Sequence, residues 1–287
     1  MPELPEVETI RRGLEKTILN KKIAGVEVKN KKAIRGGADN FVRTLKNNSI
    51  KKVGRVGKLL MFELADGNYM FAHMKMTGQL IYRFDHKVFA GGHNLPHFTE
   101  TDLPTKYSRV IWSFNDGSKL YFNDMRKFGY LQIVDREKKE KTASAYGIEP
   151  LTKNFTVDNL KKVLAERKAP VKAVLINQQL VSGIGNIYAD EICFEAKIKP
   201  DRPAGKLTEE EIKILHKSAN KIIEKAIKYG GTTFKDYVNA HGAKGNFVEY
   251  LKVYKREKQK CLRCKKGIIS VKRVAGRGTR FCPVCQK

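Results

Sequence analysis

Acidic residues are scarce in this chain: 30 Asp and Glu stand against 57 Lys and Arg in 287 residues, so the net charge is 57 − 30 = +27. No run approaches the ~20 consecutive apolar residues that a membrane-spanning helix needs, which excludes that class. The opening Met1-Pro2-Glu3-Leu4-Pro5-Glu6 has neither a basic n-region nor an apolar h-region, so no secretory signal is expected and the reading is an intracellular chain. Internal repeats and low-complexity tracts are also missing. What is present is 41% hydrophobic and 30% charged, a globular composition that excludes wholesale disorder. The length suggests two domains of ordinary size. A charge of +27 exceeds what solubility asks for, and a polyanionic partner is its natural reading; a Lys-rich surface serving solubility is the plainer one.

Cysteine is sparse and unevenly placed. Four of the five fall in the last 47 residues, as Cys261-x2-Cys264 and Cys282-x2-Cys285 separated by 17 residues, in a segment carrying 14 Lys and Arg against two acids. Each CxxC pair closes a tight turn that aims two thiolates at one point, the pattern of a four-thiolate zinc site, and disulfides are a poor fit to a reducing cytosol. A segment this short has little core, so metal binding would supply much of its folding free energy. Cys193 stands apart in an apolar helical pattern and reads as a buried bystander.

Along the chain, Pro5 suits a first helical turn and Val7, Ile10, Leu14 and Ile18 recur at helical spacing, which predicts a helix over 5–19. Strands are expected over 23–30, 50–64, 69–82, 109–114, 119–122 and 130–134. Asp66-Gly67 and Asp116-Gly117 mark tight turns between antiparallel neighbours. Residues 84–105 read as a long loop and the charged run Asp135–Lys141 as an interdomain linker. Beyond it the period becomes helical, over 157–166, 170–180 and 187–197. Thr208-x-x-Glu211 is a capping box for a further helix that Gly230-Gly231 ends.

Several short motifs bear on chemistry. Initiator Met is usually removed before Pro, which leaves Pro2 a free secondary amine; an α-amino group titrates near ~8 against ~10.4 for lysine, so much of it is nucleophilic at cellular pH. Attack on a sugar C1′ would give an iminium, an electron sink for elimination, with Glu3 placed to shuttle protons. The structural alternative is a proline that sets the helix entry and acids that favour its first turn. Lys58 in a predicted strand reads as a solvated charge or an edge gatekeeper unless Pro2 folds against it. Ser182-Gly183-Ile184-Gly185-Asn186 is a tight turn with Asn186 as a candidate N-cap whose helix could present amides to a phosphate. Asp124-Met125-Arg126-Lys127-Phe128-Gly129 joins a guanidinium and an aromatic ring in one turn, suited to entering a stack where a base has been flipped, or simply a strand connection with a core phenylalanine. Arg277, between the CxxC pairs, would sit at a hairpin tip as a phosphate ligand or a solvated charge.

Taken together, PELPEVETIRRGL, RVGKLLMFEL, HMKMTG, DMRKFG, VSGIGNIYADE, GGTTFKDYV and the terminal four-cysteine hairpin resemble, in order and over essentially the whole chain, the bacterial formamidopyrimidine-DNA glycosylases. Leu4 separates it from the sister endonuclease VIII family, which characteristically opens PEGPE. The resemblance implies an α+β multidomain fold: an N-terminal catalytic β-sandwich domain with a leading helix over 1–135, a linker over 136–150, a helix–two-turn–helix DNA-binding domain over 151–240 and a zinc β-hairpin over 241–287. Damaged double-stranded DNA would lie in a basic cleft between the domains. It implies a base-excision-repair enzyme, cytoplasmic and associated with the nucleoid, monomeric, with one structural zinc ion. Pro2 would attack C1′ of an 8-oxoguanine or formamidopyrimidine nucleotide with Glu3 as proton donor. Lys58 is matched to β-elimination and Arg277 to δ-elimination, which leave a one-nucleotide gap. Met76, Arg126 and Phe128 would fill the hole left by the flipped base; Tyr107, Arg167 and Asn186 would contact phosphates; Glu6 and Glu191 would line the lesion pocket; and Cys261, Cys264, Cys282 and Cys285 would hold the zinc.

The chain departs from the family pattern at Lys106-Tyr107-Ser108-Arg109, where a Lys-His-x-His run is common, and at DMRKFG in place of DPRRFG. Two other functions stay open on the residues: an endonuclease VIII-like enzyme for oxidised pyrimidines, and a non-catalytic zinc protein that binds nucleic acid. The lesion-capping contacts of 232–247 carry no reading.

Overall fold

The structure is a computed structural model that describes residues 1–85, 87–92, 103–232 and 247–287. It divides into two compact units. The first is Met1–Ser144 with the segment that begins at Tyr229; the second is Ala145–Lys228 with Phe247–Lys287.

The first unit opens with helix α1 (Leu4–Ile18), whose Leu4, Val7, Ile10, Leu14 and Ile18 are all buried, as their spacing demands. Its entry is a reciprocal capping box, with Glu3 as N-cap and Glu6 at the third helical position; the Glu3 amide donates to Glu6 Oε2 at 2.8 Å. Gly13 is present where a Cβ would run into the Phe89 ring, so the helix gives up some propensity for close approach to the sheet.

Two five-stranded sheets follow. One has the order β1 (Ile23–Val28), β8 (Ser108–Phe114), β9 (Lys119–Asp124), β6 (Gly78–Phe84), β7 (Lys87–Gly92). The other runs β2 (Ile34–Arg35), β10 (Tyr130–Val134), β5 (Tyr69–His73), β4 (Leu59–Leu64), β3 (Ile50–Val56). All pairings are antiparallel except the short β2–β10 one. Leu80, Trp112 and Phe122 of one sheet join Phe62, Met70 and Leu131 of the other, together with α1, in a single apolar core. Each such side chain contributes roughly 1.5–3 kcal/mol on full burial. The turns at Gly67 and Gly117 have φ of +86° and +83°, the left-handed backbone for which their Asp-Gly signals called.

Three expectations need correction, and two helices add to the reading. The strand read over 50–64 is two strands broken at Gly57-Lys58, and that over 69–82 breaks at 74–77. The stretch 84–105 is not all loop, since Lys87–Gly92 pairs with β6; residues 86 and 93–102 lie outside the described residues. Helix α2 (Ala38–Leu45), unread in the sequence, buries only Phe41 and Leu45, too short a pattern to show its period. The charged run after Asp135 is helix α3 (Arg136–Ser144), with Asp135 Oδ1 accepting the Lys138 amide at 2.7 Å and no residue buried.

The second unit holds α4 (Val157–Leu164), α5 (Val171–Ile176), α6 (Asn186–Glu195) and α7 (Glu209–Lys228). Thr208 and Glu211 close the expected capping box at 2.9 and 3.2 Å. The second unit holds the chain to Lys228 and takes it up again at Phe247. Helix α6 is buried at every position from Tyr188 to Phe194. Two carboxylates therefore lie in a core and must be paired there. Buried Cys193 is inert, its thiol pushed up by burial. The unit ends in the hairpin β11 (Ser270–Val274) and β12 (Arg277–Phe281), joined by Ala275 and Gly276 at φ +49° and +72°. Among the described residues no helix is long and apolar enough to cross a membrane.

Candidate active site

The beginning of the chain is fixed tightly. Pro2 is buried behind an exposed Met1, and Glu3 is 2% exposed. Glu6 spends both carboxylate oxygens: Oε2 takes the Glu3 amide, and Oε1 takes the Thr232 amide at 2.7 Å and its hydroxyl at 3.1 Å. That makes Glu6 the anchor of residue 232; residues 233–246 lie outside the described residues.

Lys58 is no solvated gatekeeper. It sits in the turn between β3 and β4 at 6% exposure. Arg55 secures that turn, with Nη1 donating to the Gly57 carbonyl at 2.9 Å and Nε to Glu8 Oε2 at 3.1 Å on α1. Burial pushes the Glu8 carboxyl up, but hydrogen bonds from Arg11 and Arg12 and the charge of Arg55 outweigh it and take the group to about 2. Nearby, His73 is held neutral: burial first, then the charges of Lys75, Lys58 and Arg35, bring it down to about 3. Its Nδ1 accepts the Lys75 amide at 3.0 Å, which leaves the proton on Nε2. The Arg35 guanidinium lies 3.4 Å from the centre of the Tyr130 ring. Glu8 and Arg35 gave no signal in the sequence for their links to Arg55 and Tyr130, which lie far along the chain.

Met76, Arg126 and Phe128 come together. All three are exposed, the two apolar ones at 40% and 53%. Arg126 Nη1 lies 3.0 Å from Met76 Sδ, and its guanidinium carbon is 4.7 Å from the Phe128 ring centre. Their turn is built around Asp124, buried at 1%, whose carboxylate takes the Thr77 hydroxyl, the Arg126 amide at 3.2 Å and the Gly129 amide at 2.7 Å. The reading of Phe128 as a core residue is excluded. Arg109, one of the sequence departures, buttresses the same turn through a 2.8 Å bond to the Asp124 carbonyl, and the Tyr107 carbonyl accepts the Asp124 amide at 3.0 Å.

In the second unit Arg277 is exposed at the start of β12, beside the turn. Asn186 is the first residue of α6 rather than its cap, since Gly185 takes the extended N-cap conformation; its Nδ2 donates to the Gly278 carbonyl at 3.3 Å. Gln178 staples the preceding turn through the Gly183 amide and the Ile184 carbonyl, both at 2.9 Å. Arg167 is exposed, its Nε bonded to the Val163 carbonyl. Glu191 is 1% exposed and accepts the amides of Lys252, Val253 and Tyr254 at 2.8–3.0 Å, which holds that segment.

The four cysteine sulfurs lie within 4.8 Å of one another, with Cys261–Cys285 and Cys264–Cys282 at 3.7 Å. A tetrahedron of thiolates about 2.3 Å from a central ion has edges of about 3.8 Å, so the four are placed to bind a metal ion. Gly267 donates its amide to Cys264 Sγ at 3.3 Å.

The chain matches known proteins end to end. Residues 1–131 match the formamidopyrimidine-DNA glycosylase N-terminal domain and 146–238 the H2TH domain of the same enzymes. A formamidopyrimidine-DNA glycosylase of Ligilactobacillus salivarius is 41% identical over 100% of this chain and 99% of its own, and one of Pelotomaculum thermopropionicum 40% identical over the same shares. Among solved structures, the Lactococcus lactis Fpg with an abasic-site-containing DNA superposes at a TM-score of 0.85, with 33% identity and 99% of each chain covered. A variant of that protein with a Fapy-dG-containing DNA gives 0.85 at 33% identity over the whole of both chains.

Proposed function

The chain belongs to the formamidopyrimidine-DNA glycosylase family, and from that membership we propose a bifunctional DNA glycosylase and abasic-site lyase that excises oxidised purines from damaged duplex DNA. Once Met1 is removed, the Pro2 amine attacks C1′ of the damaged nucleotide and the base departs with the glycosidic electron pair, protonated from Glu3. Cleavage of the C1′–O4′ bond, with O4′ taking up a proton, then opens the sugar and leaves an iminium between Pro2 and C1′, which acidifies the C2′ proton. Loss of that proton expels the 3′ phosphate, and a second elimination expels the 5′ phosphate. Lys58 is assigned to the first elimination and Arg277 to the second. Arg167, Asn186 and Tyr107 are assigned to phosphate contacts. An amine works here because a nitrogen cation at C1′ takes up the electrons each elimination releases.

The observation that carries the reading is the Met76–Arg126–Phe128 group. A methionine and a phenylalanine held out to solvent beside a guanidinium, on a turn fixed by a buried aspartate, suit a wedge that fills the gap left by a flipped base. The +27 net charge suits phosphate binding without sequence preference. Zinc is the proposed ion of the four-cysteine cluster. Four thiolates would leave it no open position for water, so its part is to fold the hairpin.

Strand scission on a duplex with one 8-oxoguanine opposite cytosine, set against the same duplex with thymine glycol, tests the substrate class. Faster scission of the purine lesion, reduced at least tenfold by Phe128→Ala, is the expected result; a preference for thymine glycol would move the chain's activity to oxidised pyrimidines.

A further inference from the structure

Lys172 is a lysine with no exposure to solvent, and so is its partner. Its Nζ lies 2.6 Å from Asp190 Oδ1, both side chains fully buried within the second unit. Taking two charges out of water costs several kcal/mol for each ion, so a buried pair of this kind needs nearly every remaining proton and lone pair satisfied. The ammonium donates to the Thr279 hydroxyl at 2.8 Å and, more loosely, to the Gly278 carbonyl at 3.4 Å, while its contact with Asp190 Oδ1 is an ion pair in which that oxygen makes no aligned hydrogen bond. The other oxygen of Asp190 accepts the Arg280 amide at 2.9 Å. Helices α5 and α6 thus grip three successive residues of β12 from below.

The charge on Lys172 has a directional consequence. An ammonium can only donate, so towards it the Thr279 hydroxyl must accept, and the hydroxyl's own proton has to point elsewhere. It points at the Arg277 carbonyl, 3.0 Å away. Asn186 and the Arg280 guanidinium add bonds to the Gly278 carbonyl at 3.3 and 3.1 Å. The backbone that carries the exposed Arg277 side chain is therefore fixed by a buried electrostatic network, which a hairpin needed only as a spacer would not require. The four cysteines hold the far end of the same hairpin and do not reach the tip.

We propose that Lys172, Asp190 and Thr279 are positioning residues for Arg277, setting its main chain for the second elimination step. This rests on the assignment of Arg277 to that step. The measurable signature is a change in how the reaction ends rather than in how it begins. With Arg277 displaced, imine formation at Pro2 and the first elimination proceed, and strands accumulate that end in the 3′ unsaturated aldehyde instead of the 3′ phosphate.

The test uses full-length, metal-loaded protein on a duplex with one abasic site and reads the ratio of the two 3′ ends by gel. Borohydride-trapped adduct and bound metal per chain are measured on the same samples. Thr279→Val keeps the shape of the side chain and removes the hydroxyl; Thr279→Ser restores the hydroxyl; Arg277→Ala marks complete loss of the second step. Thr279→Val is expected to lower the yield of 3′ phosphate relative to aldehyde by about tenfold, with trapping and metal content unchanged and the ratio recovered in Thr279→Ser. A normal ratio in Thr279→Val while Arg277→Ala abolishes 3′ phosphate overturns the positioning role. Loss of metal and trapping in parallel with the ratio also overturns it, by reducing Thr279 to a folding residue. A normal ratio in Arg277→Ala overturns the assignment of Arg277 itself, and the inference falls with it.

Discussion

The segment leading into helix α1 and the β11–β12 hairpin carry the residues assigned to the two ends of the reaction, and they are held in different ways. Beneath α1 lies a core drawn from both sheets, from Val7 and Ile10 through Trp112 and Phe122 to Phe62 and Leu131. Beneath the hairpin, among the described residues, Phe194, Val253, Cys261, Ile269 and Cys282 form a small buried apolar cluster, and two of these five are cysteines of the metal-binding set. Charges serve both regions, but differently. Around α1 the buried Glu8 joins elements that the core already packs. At the hairpin the Lys172–Asp190 pair bonds directly to Thr279 and to the Arg280 amide of β12. Where apolar surface is plentiful, polar groups adjust; where it is scarce, they determine the geometry.

Metal removal is the strongest way to break this comparison. Structural zinc contributes about 10–16 kcal/mol in small zinc-folded peptides, against roughly 4.5–9 kcal/mol from the three members of that cluster that are not cysteines. Cys264→Ser, or a chelator, is expected to abolish hydrogen-exchange protection in β11 and β12 while leaving the amides of β4 and β5 protected. Equal loss in both regions would mean that the hairpin is no separate folding unit.

The converse substitution is Phe62→Ala, at a position with no solvent exposure. It is expected to cost about 3–5 kcal/mol of unfolding free energy in the first unit, by denaturant titration, with bound metal per chain unchanged.

Glu8 gives a smaller effect with a pH signature. Its carboxyl lies at about 2 in the folded protein against an ordinary value of 4.5, so the folded form holds the proton less tightly than the unfolded one. The stabilisation is present above pH ~4.5 and is lost as pH falls towards 2. Glu8→Gln is expected to cost about 3 kcal/mol near neutrality, with the difference from the parent shrinking steadily below pH ~4.5. A difference independent of pH would show that the carboxylate's charge is not what matters.

The smallest expected effect is none at all. His73, brought down to about 3, should show imidazole resonances that do not titrate between pH 5 and 8. A midpoint near 6.5 would place the ring in water, away from the Lys58 turn.

Much of this could be read from the sequence, for reasons that are local. The spacing of Val7, Ile10, Leu14 and Ile18, the Asp-Gly turns, the Thr208–Glu211 box and the CxxC pairs each encode their structure within a few residues. What escaped depends on partners far along the chain. Lys58 looked like an edge lysine because nothing nearby announces that Arg55 and Glu8 will tie its turn to α1. The burial of Glu191 was not legible because the amides that donate to it, at 252–254, lie some sixty residues on. Lys172 and Asp190 are ordinary helix residues until β12 is laid against them. Phe128 was ambiguous because an aromatic in a turn has the same local signature whether it points inwards or out.

The central claim is that the amine of Pro2 forms the covalent intermediate, and borohydride reduction tests it most directly. Metal-loaded protein, shown by mass to lack Met1, is incubated with borohydride and a duplex carrying one 8-oxoguanine opposite cytosine. A covalent protein–DNA adduct whose peptide map places the bond at Pro2, and which is absent from Pro2→Gly, is the predicted result. An adduct of undiminished yield in Pro2→Gly, or none from the parent protein, would contradict the account.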